Sequence, residues 1–244
     1  MTLDAESLER LVPDALEAGD VTGAEALRIG AERYAFAARY ARAGRILDLA
    51  CGVGYGTRIL ADRADPGATL LGVDVSEAAI AHAREHYAGE RVAFETGDAM
   101  ALRDPGGFDA IVSIETVEHL PDPTGFVARL VGLLRPGGVL VASVPVTPSV
   151  DANPFHLHDF TERSFRRLFL GHGLVEVDCL RQDQPYHPGA VLARSEVRMQ
   201  QVRRNLPAYY LRHPDALARR IWSTLRFGFK NKYLTIAWRC PKPS

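Results

Sequence analysis

Cysteine is scarce in this sequence of 244 residues. Only Cys51, Cys179 and Cys240 carry thiols, and no two of them form a CxxC pair. That spacing argues against a zinc knuckle or a disulfide framework. Three scattered thiols and no signal peptide fit a reducing cytoplasm, which is the expected compartment. Long apolar runs are missing too. None approaches the roughly 20 residues needed to span a bilayer, so no membrane is expected as a partner. There is no internal repeat and no low-complexity segment.

Net charge is also close to absent, at −1, but the balance is uneven along the chain. From Arg181 to Ser244 there are 13 Lys and Arg against 3 Asp and Glu; the remainder carries 16 against 27. Such asymmetry fits an anionic partner. It fits equally a set of solvated helix faces whose arginine stems pack on apolar surface. A hydrophobic content of 47% is ordinary for a chain with a real core.

Apolar periodicity predicts helices over 5–16 and 23–43. Short β-rich runs then alternate with helical stretches. Strands are expected at 45–50, 69–74, 91–95, 108–114 and 139–144, and helices at 57–63, 76–87 and 123–134. Ser76 can cap the second of these helices, and Pro136-Gly137-Gly138 ends the third. A loop over 145–159, a helix over 161–170 and a strand over 174–180 follow. Arginine-rich helices are expected at 191–206 and 215–227, then a last strand at 233–238. The pattern argues for a parallel sheet covered by helices on both faces, with a helical insertion before the last strand. By segment, 1–44 is an N-terminal helical piece expected to lie over the site and 45–180 the core. Residues 181–232 form the basic insertion, and 233–244 the final strand and tail.

The sharpest motif is Ile46-Leu47-Asp48-Leu49-Ala50-Cys51-Gly52-Val53-Gly54-Tyr55-Gly56-Thr57, between a strand and a helix. Glycines there let the backbone turn tightly and approach a ligand. The next strand ends in Asp74, 20 residues after Gly54, where a carboxylate can accept both ribose hydroxyls. The dinucleotide fingerprint GxGxxG is lacking, because the spacing is GxGxG, which argues against a dehydrogenase.

With these residues in view, the chain resembles the class I S-adenosylmethionine (SAM)-dependent methyltransferases. Residues 47–54 look like their first motif, and Leu71-Gly72-Val73-Asp74-Val75-Ser76 like their ribose-binding strand. Gly97-Asp98-Ala99 looks like the adenine-side turn, Phe108–Ser113 like the fourth strand, and Leu134–Gly138 like the turn before the fifth. The resemblance implies a Rossmann-like sheet and SAM as cofactor. It implies that Asp48 and the backbone of Gly52, Gly54 and Gly56 hold the methionine part, and that Arg33 or Tyr34 meets its carboxylate. Asp74 would bind the ribose and Asp98 the adenine. Ala50, Tyr55, Val75, Ala99, Met100 and Glu115 complete the expected cofactor set.

On the acceptor side, Glu115, Glu118 and His119 are spaced i, i+3, i+4 and share a face on a helical turn. With a histidine from the loop after the fifth strand, His158, they make a candidate site for Mg²⁺, Mn²⁺ or Zn²⁺. The pattern resembles the ExxEH motif of ubiquinone-biosynthesis O-methyltransferases and of small-RNA 3′-terminal 2′-O-methyltransferases. Without metal, His119 or His156 can act as general base, with Glu115 beside them. Both readings stay open here. The segment Asn153–Thr161 resembles runs in bacterial methyltransferases of glycans and natural products. Arg194, Arg198, Arg203, Arg204, Tyr209, Tyr210 and Trp222 either line a cap over an anionic or ring-bearing acceptor or form a dimer surface. The expectation is O-methylation of a small hydroxylated metabolite, such as a sugar or natural product. The alternatives are methylation of an RNA terminus and a SAM-binding partner protein without catalysis.

Overall fold

The computed structural model describes Pro13 and residues 21–151, 153–185 and 206–242. Seven strands form one sheet: β1 (Arg45–Leu49), β2 (Thr69–Asp74), β3 (Val92–Thr96), β4 (Phe108–Ile114), β5 (Leu134–Pro145), β6 (Val175–Pro185) and β7 (Lys230–Arg239). Their order is β3-β2-β1-β4-β5-β7-β6. The first five run parallel, and β7 enters antiparallel between β5 and β6. The order reverses at β1, which opens a crevice at the carboxyl ends of β1 and β4, the place where such sheets bind ligands.

Alternation along the strands builds two cores. Ile46, Val112 and Val141 face α1 (Val21–Ala37), α2 (Tyr55–Arg63) and α3 (Glu77–Tyr87), packing with Phe36, Leu60 and Ile80. Leu47, Ile111 and Leu140 face α4 (Pro123–Leu133) and α5 (Glu162–Leu170), packing with Phe126, Leu130 and Phe165. Helices thus cover both faces, as the sequence pattern predicts. Trp238 of β7 stacks on Phe169 at 4.0 Å between ring centres, which closes the second core. Ser76 caps α3 by accepting from the Ala79 N–H, and Asp122 and Thr161 cap α4 and α5 in the same way.

The structure departs from expectation in four places. Helix α1 stops at Ala37 rather than at 43, where hydrogen bonds shorten to i→i−3 spans from Arg39 to Phe36 and Tyr40 to Ala37. Strand β5 begins at Leu134, ahead of Pro136-Gly137-Gly138. Phe108 pairs with Leu134 and Ala110 with Val139, so these residues form a bulge within the ladder instead of a turn before it. Strands β6 and β7 are longer than predicted, running to Pro185 and from Lys230. Their polar ends read as loop in sequence, but Gln182 and Gln184 are buried. Before β7 come α6 (Leu206–Arg212) and α7 (Pro214–Phe227). The helices expected at 5–16 and 191–206 lie outside the described residues, apart from Pro13 and Leu206, as do Arg194, Arg198, Arg203 and Arg204.

Candidate cofactor and acceptor site

The loop from β1 to α2 is folded around its glycines. Ala50, Gly52 and Gly54 all have positive φ, at 64°, 55° and 88°. The amides of Ala50 and Cys51 donate to the Val73 carbonyl, clamping the loop to β2. A Cβ on Gly54 would stand 2.7 Å from Ala83 and one on Gly56 only 2.0 Å from the Tyr34 ring. Only glycine fits at either position.

Two acids sit under this loop. Asp74, at the end of β2, accepts from the Gly52 and Ser76 amides at 2.9 Å each. A carboxylate has lone pairs left for hydroxyl donors after two such bonds. Asp48 is buried and accepts from Thr57 Oγ1 at 2.5 Å and Tyr34 Oη at 3.2 Å. Burial pushes its carboxyl up to about 7, against the pull of those two hydroxyls. Asp98 is exposed and accepts from the Met100 amide, which shapes the turn with Ala99. Val75 projects into solvent beside Asp74. Tyr55, at the start of α2, packs edge-on against Tyr34.

Arg33 is buried beside this group, on α1. Its Nε donates to Gln182 Oε1 at 3.0 Å, its guanidinium lies 4.1 Å above the Tyr233 ring, and it pairs with Glu115 at 3.6 Å. Glu115 follows β4 with φ 51°. Its amide donates to Ser143 Oγ, which donates back to Glu115 Oε1 at 2.7 Å. Glu115 therefore does not share a helical face with Glu118 and His119. It turns toward Arg33 and Ser143, while the latter two occupy a separate 3₁₀ turn, Val117–His119.

The loop after β5 docks on that turn, with the Leu157 and His158 amides donating to the Glu118 carbonyl. This brings His156 against His119, with ring centres 4.7 Å apart and nearly perpendicular. Among the described residues, the side-chain donors of Glu118, His119 and His156 lie within 4.8 Å of one another. The four residues expected to hold a metal are not brought together by this geometry. Glu115 points elsewhere and His158 bonds through Nε2 to the Leu120 carbonyl, while His156 lies beside Glu118 and His119.

The hydrogen bonds select a tautomer for His119. Its Nδ1 lies 3.1 Å from the Phe155 carbonyl, which can only accept, so a neutral ring carries its proton on Nδ1 and its lone pair on Nε2. His156 Nδ1 lies 2.6 Å from Ser149 Oγ, which also contacts Asp159. Ser143, Ser149, Gln182 and Tyr233 were not signalled by any motif. They reach the site through strand register and loop docking, which a single sequence does not reveal.

Asp151, in the same loop, accepts from Tyr209 Oη at 3.1 Å and Arg219 at 3.3 Å. The insertion is thus fastened to the loop that carries His156.

A sheet of this order, with a glycine loop after β1 and an acid ending β2, is a Rossmann-like α/β fold. Residues 46–138 match the family model described as "Methyltransferase domain". A Mycolicibacterium smegmatis protein named "Probable S-adenosylmethionine-dependent methyltransferase" is 34% identical over 158 residues, which is 56% of this chain and 60% of that one. A ubiquinone biosynthesis O-methyltransferase of Pseudomonas aeruginosa is 34% identical over 114 residues, 45% of this chain and 46% of that one. The chain thus aligns with about half the length of these relatives. An N-methyltransferase of Bradyrhizobium japonicum, solved with S-adenosylhomocysteine, shares the fold with TM-score 0.59 at 16% identity, over 89% of this chain and 88% of that one. Residues 46–138 thus resemble a methyltransferase domain, and the fold is the one the solved methyltransferases share.

Proposed function

We propose that this protein transfers a methyl group from SAM to a hydroxyl of a small metabolite, such as a sugar or natural product. The observation that carries the reading is the paired His119 and His156, held at the carboxyl edge of the sheet with the His119 lone pair on Nε2. The residues present fit the cofactor. The Gly52–Gly56 backbone and buried Asp48 suit its charged amino-acid end, with Arg33 or Tyr34 near its carboxylate. Asp74 suits the ribose and Asp98 the adenine, while Ala50, Tyr55, Val75, Ala99, Met100 and Glu115 line the same path.

When bound, SAM supplies an electrophilic methyl on its sulfonium. The protein's part is to align the acceptor oxygen and take its proton. His119 Nε2 accepts that proton, and the Phe155 carbonyl on Nδ1 stabilises the imidazolium that forms. His156, held by Ser149, orients the acceptor. In this reading the N-terminal segment covers the cofactor, residues 45–180 form its platform, and the basic insertion caps the acceptor.

A second reading is favoured by the convergence of Glu118, His119 and His156. One carboxylate and two imidazoles within a few ångströms fit a divalent cation, and these three would hold it. Its chemistry there would be to lower the pKa of the acceptor hydroxyl.

Calorimetric titration with SAM and S-adenosylhomocysteine, paired with a product assay over phenols and glycosides, tests both. Asp74→Ala should abolish binding of the adenosyl compounds. His119→Gln should leave binding intact and slow turnover by about 10²–10⁴-fold. Loss of turnover on chelation, restored by Mg²⁺ or Zn²⁺ and absent in Glu118→Gln, would select the metal reading. No binding of either adenosyl compound would overturn the proposal.

A further inference from the structure

Helix α7 is inside out. At about 100° per residue, Ala216 and Ser223 fall on one side, and these are its buried residues. The opposite side carries Leu217, Ile221, Trp222 and Leu225, all exposed, with Trp222 at 66% and Leu225 at 78%. Leu211, at the end of α6, and Phe229, just past α7, extend the exposed apolar surface. In a water-facing helix the polarity runs the other way. Basic groups flank this surface: Arg226 falls along one edge of α7, Arg220 along the other, and Arg212 closes α6, while Arg219 is held by Asp151 and Asp215. Asp215 is the lone acid in the two helices and pairs with Arg219.

We infer that the outward face of α7, with Leu211 and Phe229, docks on an anionic phospholipid surface. Apolar side chains enter the acyl boundary while arginines along both edges meet lipid phosphates, the pattern of a helix lying in a bilayer interface. The charge argues for this occupant over a second copy of the chain. An isologous dimer through this face would set its arginines against their own counterparts. The inference does not depend on which acceptor the enzyme methylates.

Full-length protein is mixed with phosphatidylcholine vesicles, with or without about one-third phosphatidylglycerol, and followed by flotation and tryptophan fluorescence. Trp238 is fully buried, so a change in emission reports Trp222. The expected result is flotation with anionic vesicles only, a blue shift of Trp222, and release at about 0.5 M salt. The double substitution Leu225→Ser and Ile221→Ser should weaken vesicle binding by about tenfold or more while SAM binding, measured by calorimetry, is unchanged. Arg220→Gln with Arg226→Gln, which spares the apolar ridge, should weaken binding to anionic vesicles by a similar factor. Absence of flotation, or flotation indifferent to both variants, would overturn the inference. So would a dimer in light scattering that the serine variant dissociates.

Discussion

The two halves of the sheet's carboxyl edge are built by different means. The cofactor half is local in sequence: residues 48–76 supply the loop, both acids and the α3 cap. The other half is drawn from far apart: Arg33 and Glu115, also proposed to lie near SAM, meet Ser143 and Gln182 across up to 149 positions, and Asp151 holds Arg219 beside the loop of His156. The first is fixed by close glycine contacts and by hydrogen bonds within one βα turn, the second by polar contacts between distant segments. A general cofactor needs a fixed cradle, whereas acceptor choice is tuned by segments that can change without disturbing that cradle.

Breaking the cradle should have the largest effect. In Gly56→Ala the new methyl would overlap the Tyr34 ring, and overpacking of this kind costs about 1–3 kcal/mol. Thermal unfolding should show that loss, and calorimetry a matching loss of SAM affinity. Gly132→Ala is the contrast. Nothing lies within 4 Å of its Cβ position, on α4, so the change should be neutral or stabilise the helix by up to about 1 kcal/mol.

Asp48 sharpens the same half through pH. Its carboxyl has an ordinary value of 3.8 and is held near 7 in the folded chain by burial. Between those values the folded chain keeps a proton that the unfolded chain has released, so this group's contribution to stability falls as pH rises. Asp48→Asn should flatten that slope. A cationic cofactor favours the ionised carboxylate, so SAM affinity should rise about tenfold from pH 6 to pH 8 in the wild type, following the ionised fraction. Titrations at the two pH values in both proteins check the expectation.

The same division explains what could be read from sequence. Strand and helix positions were legible because alternation and caps are local signals: β2 and β4 fall where their apolar runs end. The glycine loop and Asp74 were legible because their spacing is set by one βα turn. The helical face expected for Glu115, Glu118 and His119 does not form, because Glu115 adopts positive φ. His158 was expected beside Glu118 and His119 as a ligand and His156 as a base; that docking brings His156 to that pair, through the Glu118 carbonyl, has no trace in spacing. Strands β6 and β7 looked short because the burial of Gln182 depends on Arg33, Ile29 and Glu32, which lie on α1.

Breaking the acceptor half should have a smaller effect, confined to the insertion. Asp151→Ala removes an acceptor of Tyr209 and one of the two acids that hold Arg219. The Asp151 carboxylate is mostly buried, but Arg219 is half exposed, so solvent screening limits the loss to about 1 kcal/mol or less. Hydrogen exchange should locate it. Amides of α6 and α7 should exchange up to about fivefold faster, the population factor for such a loss, while β1–β4 keep their protection. A uniform rise across the sheet would mean that the insertion is part of the core's cooperative unit, and that the two halves differ in sequence distance but not in stability.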